Sequence, residues 1–428
     1  MTNATERFAA IARRYAAGEA TGICSVCSAH PLVIEAALRH GAERGSDVLI
    51  EATCNQVNQD GGYTGMNPAG FRRFVERIAA EVGFPLDRLV LGGDHLGPNP
   101  WKALPAEAAM AKAKTMIEAF TEAGFTKLHL DTSMGCAGEP AALPDAVVAE
   151  RAARLAKAAE AAAARGGGAL PVYVVGTEVP VPGGALEALD HLEVTRPEAA
   201  RRTIEVHRAA FAALGLEAAF ERAIAAVVQP GVEFGNAEVV VFDPAKAAAL
   251  SATLREMPGF VFEAHSTDYQ PVAALKVLVA DGFVILKVGP WLTFALREAL
   301  YGLSDIADLL DPEGVGETLP ETMERVMLAA PGHWQKYYPG SDAEQRIERH
   351  YSFSDRIRYY WPEPEPRAAV ERLLARLGER PIPLPLIGQH LGQLSALVEA
   401  GALEPTPRSL LLGSVTRVLN LYAEAIES

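Results

Sequence analysis

The sequence has little of what marks several large functional classes. It contains four cysteines in 428 residues, Cys24, Cys27, Cys54 and Cys136, too few for a disulfide scaffold. Cys24 and Cys27 form a CxxC, but no second CxxC completes a zinc site. Residues three apart on a strand also face opposite ways, so buried, inert thiols are expected. Asp and Glu number 54 against 39 Lys and Arg, a net charge of −15. With no run of basic residues, nothing suits the chain to nucleic acid or to an anionic membrane surface. No stretch approaches the ~18 uninterrupted apolar residues of a membrane span. The opening MTNATERFAAIARRYAAGEA is polar and lacks the apolar centre of a signal peptide. A reduced, cytoplasmic protein is expected. Nucleotide signatures are missing as well: Gly92 and Gly97 have the Walker spacing, but Pro98 stands where a lysine is needed. There is no G-x-S-x-G, no H-E-x-x-H and no dinucleotide fingerprint after a strand. ATP- or NAD-dependent chemistry finds no support.

What is present is a repeating pattern. Hydrophobic residues make up 49% and charged residues 22%, ordinary values for a chain with a large core. Short apolar runs begin at Thr21, Val48, Leu89, Lys127, Pro171, Ala225, Phe260 and Phe283. Between them lie amphipathic, Ala-rich stretches: Pro31 to Arg44, Asn67 to Val82, Leu104 to Ala123, Pro144 to Arg165, Pro197 to Leu214, Asp243 to Arg255 and Tyr269 to Ala280. Gly166–Gly168 reads as the exit of the long Ala-rich helix. Apolar runs each followed by a helix imply a parallel sheet with helices outside it. Eight units predict an α/β fold of the (β/α)8 TIM-barrel kind over residues 1–290. After Trp291 the pattern turns helical, so 291–428 is expected to be a helical extension packed on the barrel. Its aromatic segment HYSFSDRIRYYWP, from His350, either packs the extension down or reaches over the barrel mouth.

A barrel of this kind carries its active site at the C-terminal ends of the strands. Polar residues collect there: Glu51 and Asn55 after the second run, Asp94 and His95 after the third, His129 and Asp131 on the fourth. Glu178 follows on the fifth, Gln229 and Glu233 on the sixth, His265, Ser266 and Asp268 on the seventh, and Lys287 on the eighth. Such groups are costly to desolvate unless paired or bound to a metal. Imidazoles with carboxylates suit a divalent cation, zinc or else manganese, with an open position for substrate. His95, His265 and Glu178 are the expected ligands. His129 is balanced between ligation and a core role, and His30 is a weaker candidate. Asp94, Asp131, Glu233 and Asp268 are the candidate acids and bases; Glu51, Asn55, His129, Gln229 and Lys287 are candidates for holding substrate. Lys287 invites a Schiff base only if its pKa is lowered, and its acidic neighbours argue instead for an ion pair.

The segments EATCNQVNQDGGYTGMNP (from Glu51), GGDHLGPNPW (from Gly92), HLDTSMGC (from His129) and QPGVEFG (from Gln229), with AHSTDYQ, LKVGP and YSFSDRIRYYWP further on, resemble the Z-type subunits of tagatose-1,6-bisphosphate aldolase, the GatZ/KbaZ group. The resemblance covers essentially the whole chain. It implies a fold similar to class II aldolases, in which an Asp–His pair follows the third strand, Asp as acid/base and His as metal ligand. Asp94 and His95 match that pair, and His265 matches a further ligand after the seventh strand. Gln229 stands where those enzymes place another metal histidine, and their phosphate loops are not evident in AHSTDYQ or KVGPW.

Two functions follow from the resemblance. In one, the chain supports a separate Y-type aldolase subunit. In the other, it is itself a metal-dependent ketose 4-epimerase that breaks and remakes C3–C4 of tagatose or fructose. A sugar-binding regulatory protein is a third class, separable by metal content. The expected partners are a ketose or its phosphate, a Y-type aldolase subunit and further copies of the chain.

Overall fold

The apolar runs are rich in Val, Ile, Leu and Ala and have no polar face, which suits a strand enclosed between a barrel interior and a layer of helices. The computed structural model describes residues 3–176, 192–312 and 316–427. In it the runs become β1 (Ile23–Val26), β2 (Val48–Thr53), β3 (Leu89–Leu96), β4 (Lys127–Leu130), β5 (Val172–Val175), β6 (Ala223–Val228), β7 (Val261–Ala264) and β8 (Phe283–Val288). Each strand pairs in parallel with its neighbours in sequence, and β1 pairs with β8, so the sheet closes into a barrel. The expected (β/α)8 fold is the fold found.

The helices start and stop where local chemistry directs. His30 Nδ1 accepts the Leu32 N–H at the head of Pro31–Arg44, with Pro31 in the first turn. Asn67 caps Pro68–Val82 through the Gly70 N–H, satisfying a donor the helix leaves open. Gly167, at φ 61°, ends the long helix Asp145–Gly166. Two short helices, Ala4–Ala9 and Ile11–Ala16, precede β1, and a small antiparallel hairpin pairs Glu233–Phe234 with Val239–Val240. Neither has an expectation in the sequence reading.

Beyond β8 the chain is helical. Its last helix, Pro407–Ile426, packs on Pro290–Leu310, Val272–Ala280 and Pro31–Arg44 and against β1. It therefore stands in the outer ring of helices around the first and last strands. The segment Ser352–Trp361 crosses the C-terminal ends of the strands. Tyr269, beyond β7, donates its hydroxyl to the Phe353 carbonyl at 2.7 Å. Tyr63, beyond β2, meets Tyr359 at 4.8 Å between ring centroids, and His30, beyond β1, meets Trp361 at 6.2 Å. These contacts lay the segment across the mouth. Among the described residues no helix is long and apolar enough to cross a membrane. All four cysteines are free thiols, and burial pushes Cys27 up to about 12.

Candidate metal centre and active site

Adjacent residues on a strand face opposite ways, yet Asp94 and His95 both point into the barrel. The pairing of β3 with β4 contains the reason: Gly93 opposes Leu128 and Leu96 opposes Leu130, so β3 carries one extra residue. His95 itself sits at φ 49°. A bulge of this kind re-aims a side chain, and a left-handed non-glycine residue stores backbone strain of about 1–3 kcal/mol.

Four donor residues, Asp94, His95, His129 and His265, place ligand atoms within 4.8 Å of one another, and all four are buried. Each imidazole is oriented by a different partner. His95 Nδ1 lies 2.8 Å from Asp131 Oδ2, which fixes the proton there and leaves Nε2 as the acceptor nitrogen. His265 Nε2 lies 2.9 Å from Glu263 Oε1, making Nδ1 its acceptor nitrogen. His129 Nε2 donates to the Gly176 carbonyl at 2.9 Å, while its Nδ1 receives the His95 backbone N–H at 3.2 Å. Orienting partners of this type recur around metal-bound histidines. They also leave two acceptors, His129 Nδ1 and Asp94 Oδ1, face to face at 2.9 Å, with the Lys287 ammonium 2.9 Å from the same oxygen. These donors fit one divalent cation, and the set of three nitrogens and a carboxylate oxygen is one zinc takes readily.

The charges within the cluster act on one another. Burial works against the Asp94 charge, but His95, Lys287 and the His129 contact outweigh it and hold its carboxyl well below the usual range. Burial lowers His265 to about 3, keeping it neutral. Burial also opposes protonation of His95, but Asp94 and Asp131 together raise it.

Beneath the cluster lies a charged layer inside the barrel. Lys127 Nζ is 2.8 Å from both Glu51 and Glu263, and Lys287 Nζ is 2.9 Å from both Glu51 and Asp94. The Lys287 contacts are off-axis, ion pairs rather than aligned hydrogen bonds. Ser25 donates to Glu51 from β1. Gly92 makes room for this layer, since a Cβ there would lie 2.6 Å from Glu51 Cγ. Burial opposes the Lys287 charge, but Asp94, Glu51 and Glu263 are among the groups that raise its pKa well above the ordinary value. That direction keeps the amine protonated and unsuited to a Schiff base.

The remaining candidates fall around this centre. Glu233 and Asp268 are buried; burial raises Glu233 to about 7 and Asp268 to about 6. Asp268 Oδ1 accepts the Gly289 and Trp291 N–H groups at 3.1 and 2.7 Å. Gln229 uses its Oε1 to accept from Gly231 and Val232, so it shapes the turn after β6. Asn55 is exposed on the turn after β2. Glu178 lies outside the described residues. Lys127, Glu263 and Ser25 are absent from the candidates of the sequence. For Lys127 and Glu263 the signal was a charged residue inside an otherwise apolar run; for Ser25 there was none.

Comparison with known proteins agrees with this architecture. Residues 8–427 match the family described as D-tagatose-1,6-bisphosphate aldolase subunit GatZ/KbaZ-like. The chain belongs to that family. Within it, a protein of Agrobacterium fabrum named D-tagatose 6-phosphate 4-epimerase is 55% identical over 425 residues, 99% of each chain. A Salmonella enteritidis protein named D-tagatose-1,6-bisphosphate aldolase subunit GatZ is 52% identical over 413 residues, 96% of this chain and 97% of that one. A crystal structure from Sinorhizobium meliloti, titled a probable tagatose 6 phosphate kinase, superposes with a TM-score of 0.89 at 58% identity, covering 94% of this chain and all of that one. The GatZ/KbaZ-like glycines of GGDHLG have packing reasons: besides Gly92, a Cβ at Gly97 would fall 1.7 Å from the Asp131 carbonyl oxygen. Their Walker-like spacing reflects packing and not a phosphate cradle.

Proposed function

We propose that this chain is a ketose 4-epimerase working by retro-aldol cleavage of tagatose or fructose, free or phosphorylated. We further propose that His95, His129, His265 and Asp94 hold a divalent cation, zinc or manganese. The observation that carries the reading is the convergence of three separately oriented imidazoles and one carboxylate at the C-terminal end of the barrel. The relative named D-tagatose 6-phosphate 4-epimerase supports the sugar class. When bound, the cation would supply Lewis-acid polarisation of the ketose carbonyl.

The chain's own residues account for the proton and the confinement. Glu233, with Asp268 beside it, is set by burial to exchange a proton near neutral pH, and its ionised carboxylate takes the proton of the C4 hydroxyl. The C3–C4 bond breaks, C4 becomes an aldehyde carbon, and the electron pair stays on C1–C3, conjugated with the C2 carbonyl, as an enediolate. The Lys287 ammonium, fixed beside Asp94, stabilises the negative charge that develops. The aldehyde turns, the bond re-forms on its other face, and Glu233 returns the proton to give the 4-epimer with no net oxidation. Asp131 acts through His95 as an orienting group. Ser352–Trp361, lying over the strand ends, keeps both pieces inside and water out, which favours re-addition over release.

The Salmonella relative's name favours a second reading, a supporting subunit for a separate aldolase. A carbon-13 NMR time course on the purified chain with tagatose, fructose and tagatose 6-phosphate, with and without Zn²⁺ or Mn²⁺, separates the two. Metal-dependent appearance of the 4-epimer, with deuterium placed at C4 retained, is the epimerase result. Silence with every sugar, together with stimulation of an aldolase subunit on mixing, makes it the supporting subunit.

A further inference from the structure

Arg356 and Arg358 concentrate positive charge, with no carboxylate paired to either among the described residues, in an acidic protein. Arg356 is 6% exposed. It donates to the His333 carbonyl and lies 3.4 Å over the Tyr337 ring and 4.9 Å over that of Tyr359. Arg358 donates to the carbonyls of Ser354 and Asp355 and, at 3.1 Å, to the Tyr359 hydroxyl. Among the described residues neither guanidinium makes an ion pair with a carboxylate. The acid between them in sequence, Asp355, accepts from Thr293 Oγ1 at 2.6 Å on a backbone held at φ 44°. Two adjacent like charges, Arg356 buried and Arg358 half-buried, with no counter-ion among the described residues are expensive, and an anion is the partner that would relieve them.

Location narrows which anion. The arginines ride on the segment that crosses the mouth. Tyr359 packs on Tyr63 from the β2 end, and the Arg358 charge reaches both Tyr63 and Asp268. Barrels commonly take phosphate after their last two strands, at a helix N-terminus. Here that position is taken, because Asp268 accepts both the Gly289 and Trp291 amides. A carboxylate there repels a phosphate, whereas the arginines attract one.

We propose that Arg358, with Arg356 behind it and the Tyr63 and Tyr359 hydroxyls beside it, receives the phosphate group of a phosphorylated ketose whose reacting carbons lie at the Asp–His cluster. A planar guanidinium suits a phosphate monoester. This rests on the epimerase reading for its sugar, but phosphate binding can be measured without turnover.

The test compares wild type, Arg358→Gln and Arg358→Lys at equal metal content and equal melting temperature. The ratio of kcat/KM for tagatose 6-phosphate over tagatose is expected to fall about 10- to 100-fold in Arg358→Gln, with an intermediate fall in Arg358→Lys. Calorimetric titration with inorganic phosphate and with tagatose 6-phosphate is expected to show binding to wild type and matching loss in the variant. If no sugar is turned over but this binding pattern holds, the receptor stands and the epimerase reading falls. An unchanged ratio, or wild-type phosphate affinity in Arg358→Gln, overturns the receptor.

Discussion

At the scale of single residues, the site separates carboxyl groups by their surroundings. Asp94 is held ionised by His95, Lys287 and His129, whereas burial lifts Glu233 to about 7. That division gives Glu233 the proton exchange and Asp94 the permanent charge. As the proton acceptor, Glu233 must be ionised, so kcat/KM should rise with pH through about 7. Glu233→Gln should be flat across this range and lower by roughly 10²-fold or more. The same shift has a stability consequence. The unfolded carboxyl ionises near 4.5 and the folded one near 7, so between those values the unfolded state sheds its proton first and stability falls as pH rises. Denaturant titration should find Glu233→Gln more stable than wild type above pH 7, by at most about 3 kcal/mol, and no more stable below pH 4.5.

At the scale of elements, the strands were legible because runs buried on both faces leave an unmistakable apolar signature. Polar residues at their C-terminal ends marked the mouth. Less was legible about how those residues meet. Alternation along β3 would send Asp94 and His95 to opposite faces, and only the extra residue opposite β4 brings both inside. His129 is ambiguous between ligand and core in the sequence because its role depends on the Gly176 carbonyl, a contact between β4 and the end of β5. The charged layer was hidden for a related reason. Lys127 and Glu51 are 76 positions apart, and closure of the barrel puts them together. Such a buried pair is weak evidence of stability but costly to break, so Lys127→Met should lower unfolding free energy by about 3–5 kcal/mol in urea. The glycine motif tests likewise. Gly97→Ala must displace the Asp131 carbonyl and should cost at least about 2 kcal/mol, whereas Gly168→Ala, with open space around it, should have little effect.

At the scale of the whole molecule, the sequence division near residue 290 follows the change of pattern from strands to helices. What that division could not convey is where the last helix goes. Pro407–Ile426 lies against β1 and the helices Pro31–Arg44 and Val272–Ala280, covering apolar surface that a chain ending at 290 would expose. We therefore expect residues 1–290 alone to be insoluble or molten, read by aggregation and by loss of near-ultraviolet circular dichroism. The partnership of mouth and extension was equally out of reach of local pattern, since Tyr63 and Tyr359 meet across nearly 300 positions.

The central claim is that Asp94, His95, His129 and His265 form one metal centre. Its most direct test is calorimetric titration of the metal-stripped protein with Zn²⁺, alongside His129→Ala and His265→Ala at matched folding. One equivalent should bind to wild type, with affinity at least about 10²-fold weaker in each variant. No binding to wild type, or binding unaltered in both variants, would contradict it.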